Sequence, residues 1–171
     1  GVTIGQRVSI RELRRTVLRL RASKGMVLDD SDHDTWSAGS FFTNPIVTER
    51  FARTLPANAP RFPIADPAPA PAVTTLEELA AGVPLRVPEP EQPHLVKLSA
   101  AWLIEHSGIS RGYRLPGSGA AISSKHTLAL TNQGHATAAD VAQLARLVVQ
   151  RVQSEFGVVL VPEPNLFGIE L

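Results

Sequence analysis

Proline dominates the middle of this chain. Ten of its fourteen prolines lie between Thr54 and Pro93, in runs such as ADPAPAPAV and VPEPEQP. Because proline removes a backbone donor and opposes the interiors of helices and sheets, we expect a long surface insertion at about 54–93. One short helix is predicted within it, in TTLEELAAG, with Thr74 or Thr75 as its cap. A flexible linker between two domains is the alternative interpretation.

Before the insertion, the segment SIRELRRTVLRLRASKG predicts a helix. Ser9 and Glu12 have the spacing of a capping box, and Gly25 is a plausible stop. Four apolar residues recur at helical intervals and form one stripe: Ile10, Leu13, Val17 and Leu20. The opposite face is rich in arginine, which is typical of a solvated surface.

After the insertion, ATAADVAQLARLVVQRVQSEFG predicts the clearest helix of the chain. Thr137 caps it, Asp140 completes a capping box, and Gly157 fits the C′ position. The expected apolar stripe is Val141, Leu144, Leu147 or Val148, and Val152. A shorter helix is predicted from about Ser99 to His106.

Strands are predicted in three places. GSFFTNPIV is compatible with a strand or a strand and turn, YRLPGSGAAISSKHTLALTN with a Gly-rich turn followed by a strand, and VVLVPEPNLFGIEL with a strand broken by two prolines. Helices and strands alternate, but the strands are few. This favours an α+β fold, a small mixed sheet packed with helices, over a barrel.

Several classes of site are excluded or disfavoured by composition. The chain has no cysteine, which excludes disulfides, cysteine–zinc sites and thiol nucleophiles. The formal net charge of +1 gives no indication of nucleic-acid or membrane binding. No apolar run reaches the roughly 18 residues of a membrane span, the N-terminus has no signal-peptide pattern, and the five histidines lack metal-ligand spacing. We therefore predict no metal site.

Ser40 and Glu163 are the candidates for catalysis. Ser40 follows Gly39 in AGSFF, which is not the G-x-S-x-G motif of hydrolases. An oriented serine in a dry site can instead protonate a carbanion. Glu163 lies between Pro162 and Pro164, which would aim its carboxylate at little entropic cost. The alternatives are a loop serine bonded to its own backbone and a solvent-exposed glutamate.

Four basic residues are candidates for phosphate contacts: Arg21, Lys24, Lys125 and His126. Arginine offers a bidentate fork and lysine a point charge. The segment GSGAAISSKH lacks the spacing of a Walker loop, and no G-x-G-x-x-G fingerprint is present. Each of these basic residues could equally be a solvated surface charge.

Four motifs occur here in one order: SAGSFFTNP, KLSAAWLIEHSG, SSKHTLALTN followed by ATAADV, and FGVVLVPEPNLFG. Together they closely resemble the C-terminal half of the bacterial UDP-N-acetylenolpyruvoylglucosamine reductase (MurB) family. The resemblance covers nearly the whole chain, and the Pro-rich insertion is its loosest part.

The resemblance implies a reduction in peptidoglycan synthesis. The family reduces UDP-N-acetylglucosamine enolpyruvate to UDP-N-acetylmuramate, using FAD that is reduced by NADPH. By resemblance, Ser40 is the proton donor and Glu163 supports it together with an arginine of the N-terminal half. Asn44 and Lys24 match substrate-binding residues, while His126 and Arg21 match less closely. Phe41 and Phe42 would pack the strand and exclude water.

The resemblance also implies that a part of the enzyme is missing from this chain. No flavin-binding motif is readable, so we expect the chain alone to bind little or no FAD and to be inactive. Residues 1–24 are predicted to be the end of the FAD-binding domain with a connecting helix, and 25–171 the substrate-binding domain. The expected partner is the N-terminal FAD-binding half, with no nucleic acid and no membrane, in the cytoplasm.

Two other functions remain open from the sequence. The chain could be a non-catalytic module that binds a UDP-sugar. It could also be an interaction protein whose Pro-rich insertion is a polyproline ligand.

Overall fold

The computed structural model describes residues 3–64, 75–82 and 94–170, and has the predicted α+β fold. The helices are α1 (Ile10–Ala22), α2 (Glu49–Ala52), α3 (Leu76–Ala80), α4 (Ala100–His106) and α5 (Ala138–Phe156), with a 3-10 turn at His33–Thr35. The strands are β1 (Ser37–Ser40), β2 (Ile46–Thr48), β3 (Arg61–Pro63), β4 (Leu95–Leu98), β5 (Ala120–Ile122) and β6 (Ala129–Asn132). The chain divides into two compact units, residues 1–45 with 99–171 and residues 46–98.

The larger unit contains a three-stranded sheet in the order β1-β6-β5. Helix α5 packs against β5, β6 and α4. Most of the fully buried side chains of these elements are aliphatic, and they include Leu103, Ile104, Ile122, Leu144 and Val148. This core supports both the end of β1 and the turn between β5 and β6.

The smaller unit contains a second three-stranded sheet, in the order β2-β4-β3, with α2 against β2 and β4. Val96 and Leu98 of β4 are buried. Arg61 of β3 is bound to the preceding loop, because its guanidinium donates to the carbonyls of Ala52 and Leu55, among others, at 3.0–3.1 Å. The Arg61 side chain therefore links the edge strand β3 to the end of α2 through hydrogen bonds.

The strand arrangement differs in detail from the single mixed sheet that we predicted. All pairs between described strands are antiparallel, and they form two sheets. The segment predicted as one strand is a hairpin of β5 and β6, and a short connection of this kind requires antiparallel pairing. Ser123 starts its turn, since its hydroxyl accepts the N–H groups of Lys125 and His126 at 3.1 and 3.3 Å.

Part of the predicted insertion is regular structure. β3 lies inside the Pro-rich segment and pairs with β4, which the sequence did not indicate. Pro63 is tolerated there because β3 is an edge strand, where one face of the backbone needs no partner. The predicted short helix is confirmed as α3. Thr74 and the whole of the ADPAPAPAV and VPEPEQP runs lie outside the described residues.

Helix α5 follows its sequence prediction closely. Thr137 and Asp140 form the predicted capping box, and Gly157 ends the helix with φ +68°. Leu144, Val148 and Val152 are fully buried, whereas Leu147 is only half-buried. Val148 is therefore the residue that continues the stripe.

Helix α1 is confirmed, and its apolar stripe is exposed. The Ser9 hydroxyl accepts the N–H of Glu12 at 3.2 Å, as predicted. No residue of α1 is buried, and Ile10 and Leu20 are 84% and 59% exposed. The helix thus presents a large apolar surface. No helix in the described ranges is long and apolar enough to cross a membrane.

The predicted final strand is reduced to one antiparallel bridge, between Phe42 and Pro162. The prolines at 162 and 164 cannot donate hydrogen bonds, so a regular ladder cannot continue through them. The extended segment after α5 nevertheless lies beside the chain that follows β1.

Candidate functional site

Ser40 ends β1, next to an irregularity in that strand. Ser37 pairs with Thr131, and Ser40 pairs with Ala129, which is only two positions before Thr131 in β6. The extra residue in β1 makes a β-bulge, in which Gly39 has φ +86°. The four consecutive residues from Ser37 to Ser40 all line one cleft. The irregular end of β1 therefore forms one wall of that cleft.

The cleft has a volume of about 710 Å³ and joins three parts of the chain. Ser40 comes from β1, Arg21 from the last turn of α1, and Glu163 from the segment after α5. Three of the six predicted site residues thus meet, a hydroxyl, a guanidinium and a carboxylate. Lys24, Asn44 and His126 do not line this cleft.

Main-chain pairing fixes Glu163 beside Ser40. The N–H of Glu163 donates to the carbonyl of Phe41 at 2.9 Å, and the N–H of Thr43 donates to the carbonyl of Val161 at 3.0 Å. Phe41 directly follows Ser40, so these two bonds hold the carboxylate-bearing segment against the end of β1. The position of Glu163 depends on backbone pairing that its side chain does not affect.

The two phenylalanines after Ser40 anchor the cleft to the core. Phe41 and Phe42 are 7% and 1% exposed, and their rings pack edge to face with centroids 5.1 Å apart. This confirms that they pack the strand end. Their rigid burial limits the movement of the serine that precedes them.

A second group of predicted residues lies at the turn between β5 and β6. Burial lowers the pKa of the half-buried His126, and the positive charges of Lys24 and Arg111 lower it further. The loop of Lys24 also touches this turn, because an added Cβ at Gly25 would lie 3.7 Å from Cδ of Lys125, the residue before His126. We call Lys24, Arg111 and His126 the basic cluster. Arg111 was missed by the sequence analysis, because no motif surrounds it.

Glu105 of α4 organises one side of the basic cluster. It accepts a hydrogen bond from Thr127 Oγ1 and pairs with Arg111 Nε at 3.2 Å. The bond from Thr127, supported by Arg111 and opposed by partial burial, lowers the pKa of Glu105. The ionised carboxylate thus orients the guanidinium and ties the turn to α4.

Asn44 has a structural contact that the sequence analysis did not anticipate. Its Oδ1 accepts the N–H of Ala100 at 3.0 Å, at the start of α4. Ser99, where the predicted helix was expected to begin, caps it by accepting the N–H of Trp102 at 3.3 Å. The amide oxygen of Asn44 therefore joins the chain after Phe42 to α4, while the residue itself is exposed.

A second, polar cavity of about 450 Å³ lies near Asp32, Asp34 and Arg114. None of the predicted site residues lines it. Within the ranges that the structure describes, no group of three or more histidine and acidic side chains could hold a metal ion.

Comparisons with known proteins identify the same family that the motifs resemble. A family model described as UDP-N-acetylenolpyruvoylglucosamine reductase, C-terminal domain, matches residues 30–167. A UDP-N-acetylenolpyruvoylglucosamine reductase of Leifsonia xyli subsp. xyli is 62% identical over 173 residues, which cover 100% of this chain and 45% of that protein.

Two further relatives carry the same name. The protein of Streptomyces coelicolor is 50% identical, with 100% of this chain and 40% of the relative covered. The protein of Corynebacterium jeikeium is 48% identical, with 94% and 38% covered. The chain thus spans less than half the length of these relatives.

Proposed function

The chain belongs to the UDP-N-acetylenolpyruvoylglucosamine reductase family, and we propose that it supplies the substrate-binding and proton-donating part of that enzyme. The observation that carries this proposal is the meeting of Ser40, Glu163 and Arg21 at one cleft. The substrate would be UDP-N-acetylglucosamine enolpyruvate, and the product a lactyl ether used in peptidoglycan synthesis.

Ser40 would donate the proton in this reduction. The enolpyruvyl double bond gains a hydride at its terminal carbon, and the electron pair of that double bond is left as an enolate next to the substrate carboxylate. The neighbouring carbon then takes a proton. A serine hydroxyl is a weak acid, so it can act only when it is held in place and shielded from water. The bulge at Gly39 and the buried Phe41 and Phe42 support such a fixed position.

Glu163 and Arg21 would assist at the same cleft. Glu163 reaches it from a segment held by backbone pairing, which suits a group that supports proton transfer with little rearrangement. The guanidinium of Arg21 is suited to an anion, either the substrate carboxylate or a phosphate. Charge that develops on the substrate would therefore meet a fixed cation and a fixed hydroxyl.

The cofactors of the proposed reaction are FAD and NADPH. FAD reduced by NADPH would supply the hydride, and the N-terminal half of the enzyme would hold it. A Cβ at Gly39 would meet no atom within 4 Å, so the backbone beside Ser40 is open on that side. This chain contributes that open wall, and we expect it to bind little or no FAD and to be inactive alone.

The basic cluster would bind the diphosphate of the substrate. Lys24 and Arg111 supply two positive charges, and Glu105 orients the second. A neutral His126 can donate one N–H to a phosphate oxygen. Asn44 remains a candidate through its amide nitrogen. The same proposal includes the N-terminal half as partner and a cytoplasmic location.

A chimaeric enzyme tests the proposal. The N-terminal part of the Leifsonia xyli relative would be fused to this chain, wild type or Ser40→Ala. Substrate reduction should fall by about 10²-fold or more in Ser40→Ala, the usual contribution of a general acid. Oxidation of NADPH by the flavin should continue, because that step needs no proton from Ser40.

A serine on the exposed face of α5 provides the control for this test. Ser154→Ala, at an exposed position of α5, should reduce substrate at the wild-type rate. Substrate reduction near wild-type speed in Ser40→Ala would show that Ser40 is not the donor. Binding of the substrate without any turnover in the chimaera would favour the non-catalytic UDP-sugar module.

A further inference from the structure

Asp34 lies between the loop of Lys24 and the turn of His126, two of the three segments that carry the basic cluster. Its main chain packs against Gly25, where an added Cβ would lie 2.9 Å from the Asp34 carbonyl oxygen. Gly25 also has φ +69°, a conformation that favours glycine. Because Gly25 directly follows Lys24, the backbone of Asp34 sets the path of the loop that presents Lys24.

The side chain of Asp34 holds the other loop. Its carboxylate accepts the backbone N–H of Ser124 at 2.9 Å and also the Ser124 hydroxyl. Ser124 stands two residues before His126. One residue thus contacts both the loop of Lys24 and the turn of His126.

Neighbouring contacts make this turn a rigid unit. The Ser123 hydroxyl accepts the N–H groups of Lys125 and His126, and Lys125 pairs with Asp32. Thr127 donates to Glu105. With the turn fixed internally, its bond to Asp34 decides where the imidazole lies relative to Lys24.

Asp34 is ionised when it performs this role. Burial alone would raise the pKa of Asp34, but hydrogen bonds from Ser124 and Ser123 and the charge of Lys125 together outweigh it, and the pKa lies below its usual value. Hydrogen bonds to an ionised acceptor are stronger than neutral ones. An asparagine at position 34 would lose that charge and offer one acceptor oxygen instead of two.

We propose that Asp34 is a positioning residue that holds His126 beside Lys24 and thereby assembles the diphosphate site. The proposal rests on the proposed function for the identity of the ligand, but the juxtaposition that it describes exists in the free chain. Asp34 itself would not touch the substrate.

The juxtaposition can be measured without ligand by titrating His126 by NMR, with the resonance identified from its loss in His126→Gln. Since the charge of Lys24 lowers the pKa of His126, Lys24→Met should raise that pKa. In an Asp34→Asn background the same substitution should change it less, because asparagine can accept only one of the two bonds from Ser124 and does so without a charge. Comparing the effect of Lys24→Met in both backgrounds cancels the direct loss of the Asp34 charge.

Matched variants separate positioning from general stability. Asp30→Asn removes a nearby exposed carboxylate and should leave the effect of Lys24 on His126 unchanged. If Asp34→Asn does not fold, Ser124→Ala removes the hydroxyl bond but keeps the backbone bond to Asp34, and it should reduce the effect of Lys24 on His126 in part. An unchanged Lys24 effect in the folded Asp34→Asn or Ser124→Ala protein overturns the proposal, as does the absence of any effect in the wild type.

Binding of uridine diphosphate, followed by titration calorimetry of the chain, tests the proposed ligand separately. If the wild type binds, Asp34→Asn should bind about 10-fold more weakly, equivalent to about 1.4 kcal/mol, and Asp30→Asn should bind normally. Equal binding by wild type and Asp34→Asn counts against the positioning role. Failure of the wild type to bind, with the titration result intact, counts against the diphosphate site alone.

Discussion

Gly119 offers a sharp test of the packing behind the β5–β6 hairpin. It precedes β5 directly, and its carbonyl accepts the N–H of Gln133 at 2.9 Å. A Cβ at this position would lie 2.6 Å from both the N and the Cα of Ala136 and 2.8 Å from the carbonyl carbon of His135. All three atoms belong to the backbone, so no side-chain rotation can make room for the methyl group.

The expected loss of stability in Gly119→Ala depends on which atoms the new methyl group overlaps. Overpacking usually costs about 1–3 kcal/mol, and a clash with backbone alone belongs at the upper end, about 3 kcal/mol. For a chain of this length each kcal/mol lowers Tm by about 2–4 °C. Gly119→Ala should therefore melt about 6–12 °C below the wild type when thermal unfolding is followed by circular dichroism.

Gly117 provides the matched control, two residues earlier in the same turn. It has φ +75°, and a Cβ there would meet nothing within 4 Å. Gly117→Ala should thus lose only the energy needed to hold an alanine in a left-handed backbone conformation, about 1 kcal/mol, which lowers Tm by about 2–4 °C. A Tm loss in Gly119→Ala no larger than that of Gly117→Ala would refute the packing argument.

Three further predictions concern the cap, the core and pH. Thr137→Ala should lower the free energy of unfolding by about 1 kcal/mol in urea titrations, and an unchanged midpoint would contradict the capping role. Val148→Ala should lower the free energy of unfolding by about 2–3 kcal/mol because that side chain is fully buried, and Leu147→Ala at the half-buried neighbour should lower it less. A larger loss in Leu147→Ala would contradict the assignment of Val148 to the buried face. Asp34 and Glu105 have lowered pKa values in the folded chain, so the stability that they contribute is present above about pH 5 and should be lost as the pH falls through those lowered values. Urea midpoints from pH 7 to pH 3 should drop less in Asp34→Asn than in the wild type, and an equal drop would contradict the assignment.

The helices could be predicted because their signals are local. Ser9, Thr137 and Gly157 determine helix ends through contacts within a few residues, and the structure confirms each contact or geometry. The strands β3 and β4 were missed because each is only three or four residues long and their pairing joins segments about 35 residues apart. Periodicity carries little information over so short a run.

The candidate site was predicted in part, for a similar reason. The sequence motifs identified Ser40 and Glu163, and Arg21 was a candidate for phosphate contacts; all three line one cleft. Arg111 and the Ala100 contact of Asn44 depend on which loops meet after folding. The spacing of residues along the chain does not predict these contacts between distant loops.

The bulge in β1 makes the count of residues before Ser40 as important as their identity. With the extra residue, Ser37 and Ser40 are three positions apart in β1 but pair with residues two positions apart in β6. Inserting one further residue between Ala38 and Gly39 would leave every functional group present but shift the register of one end of the strand, which turns its side chains to the other face. Such a lengthened protein would keep its complete set of reactive side chains and lose the register that places them.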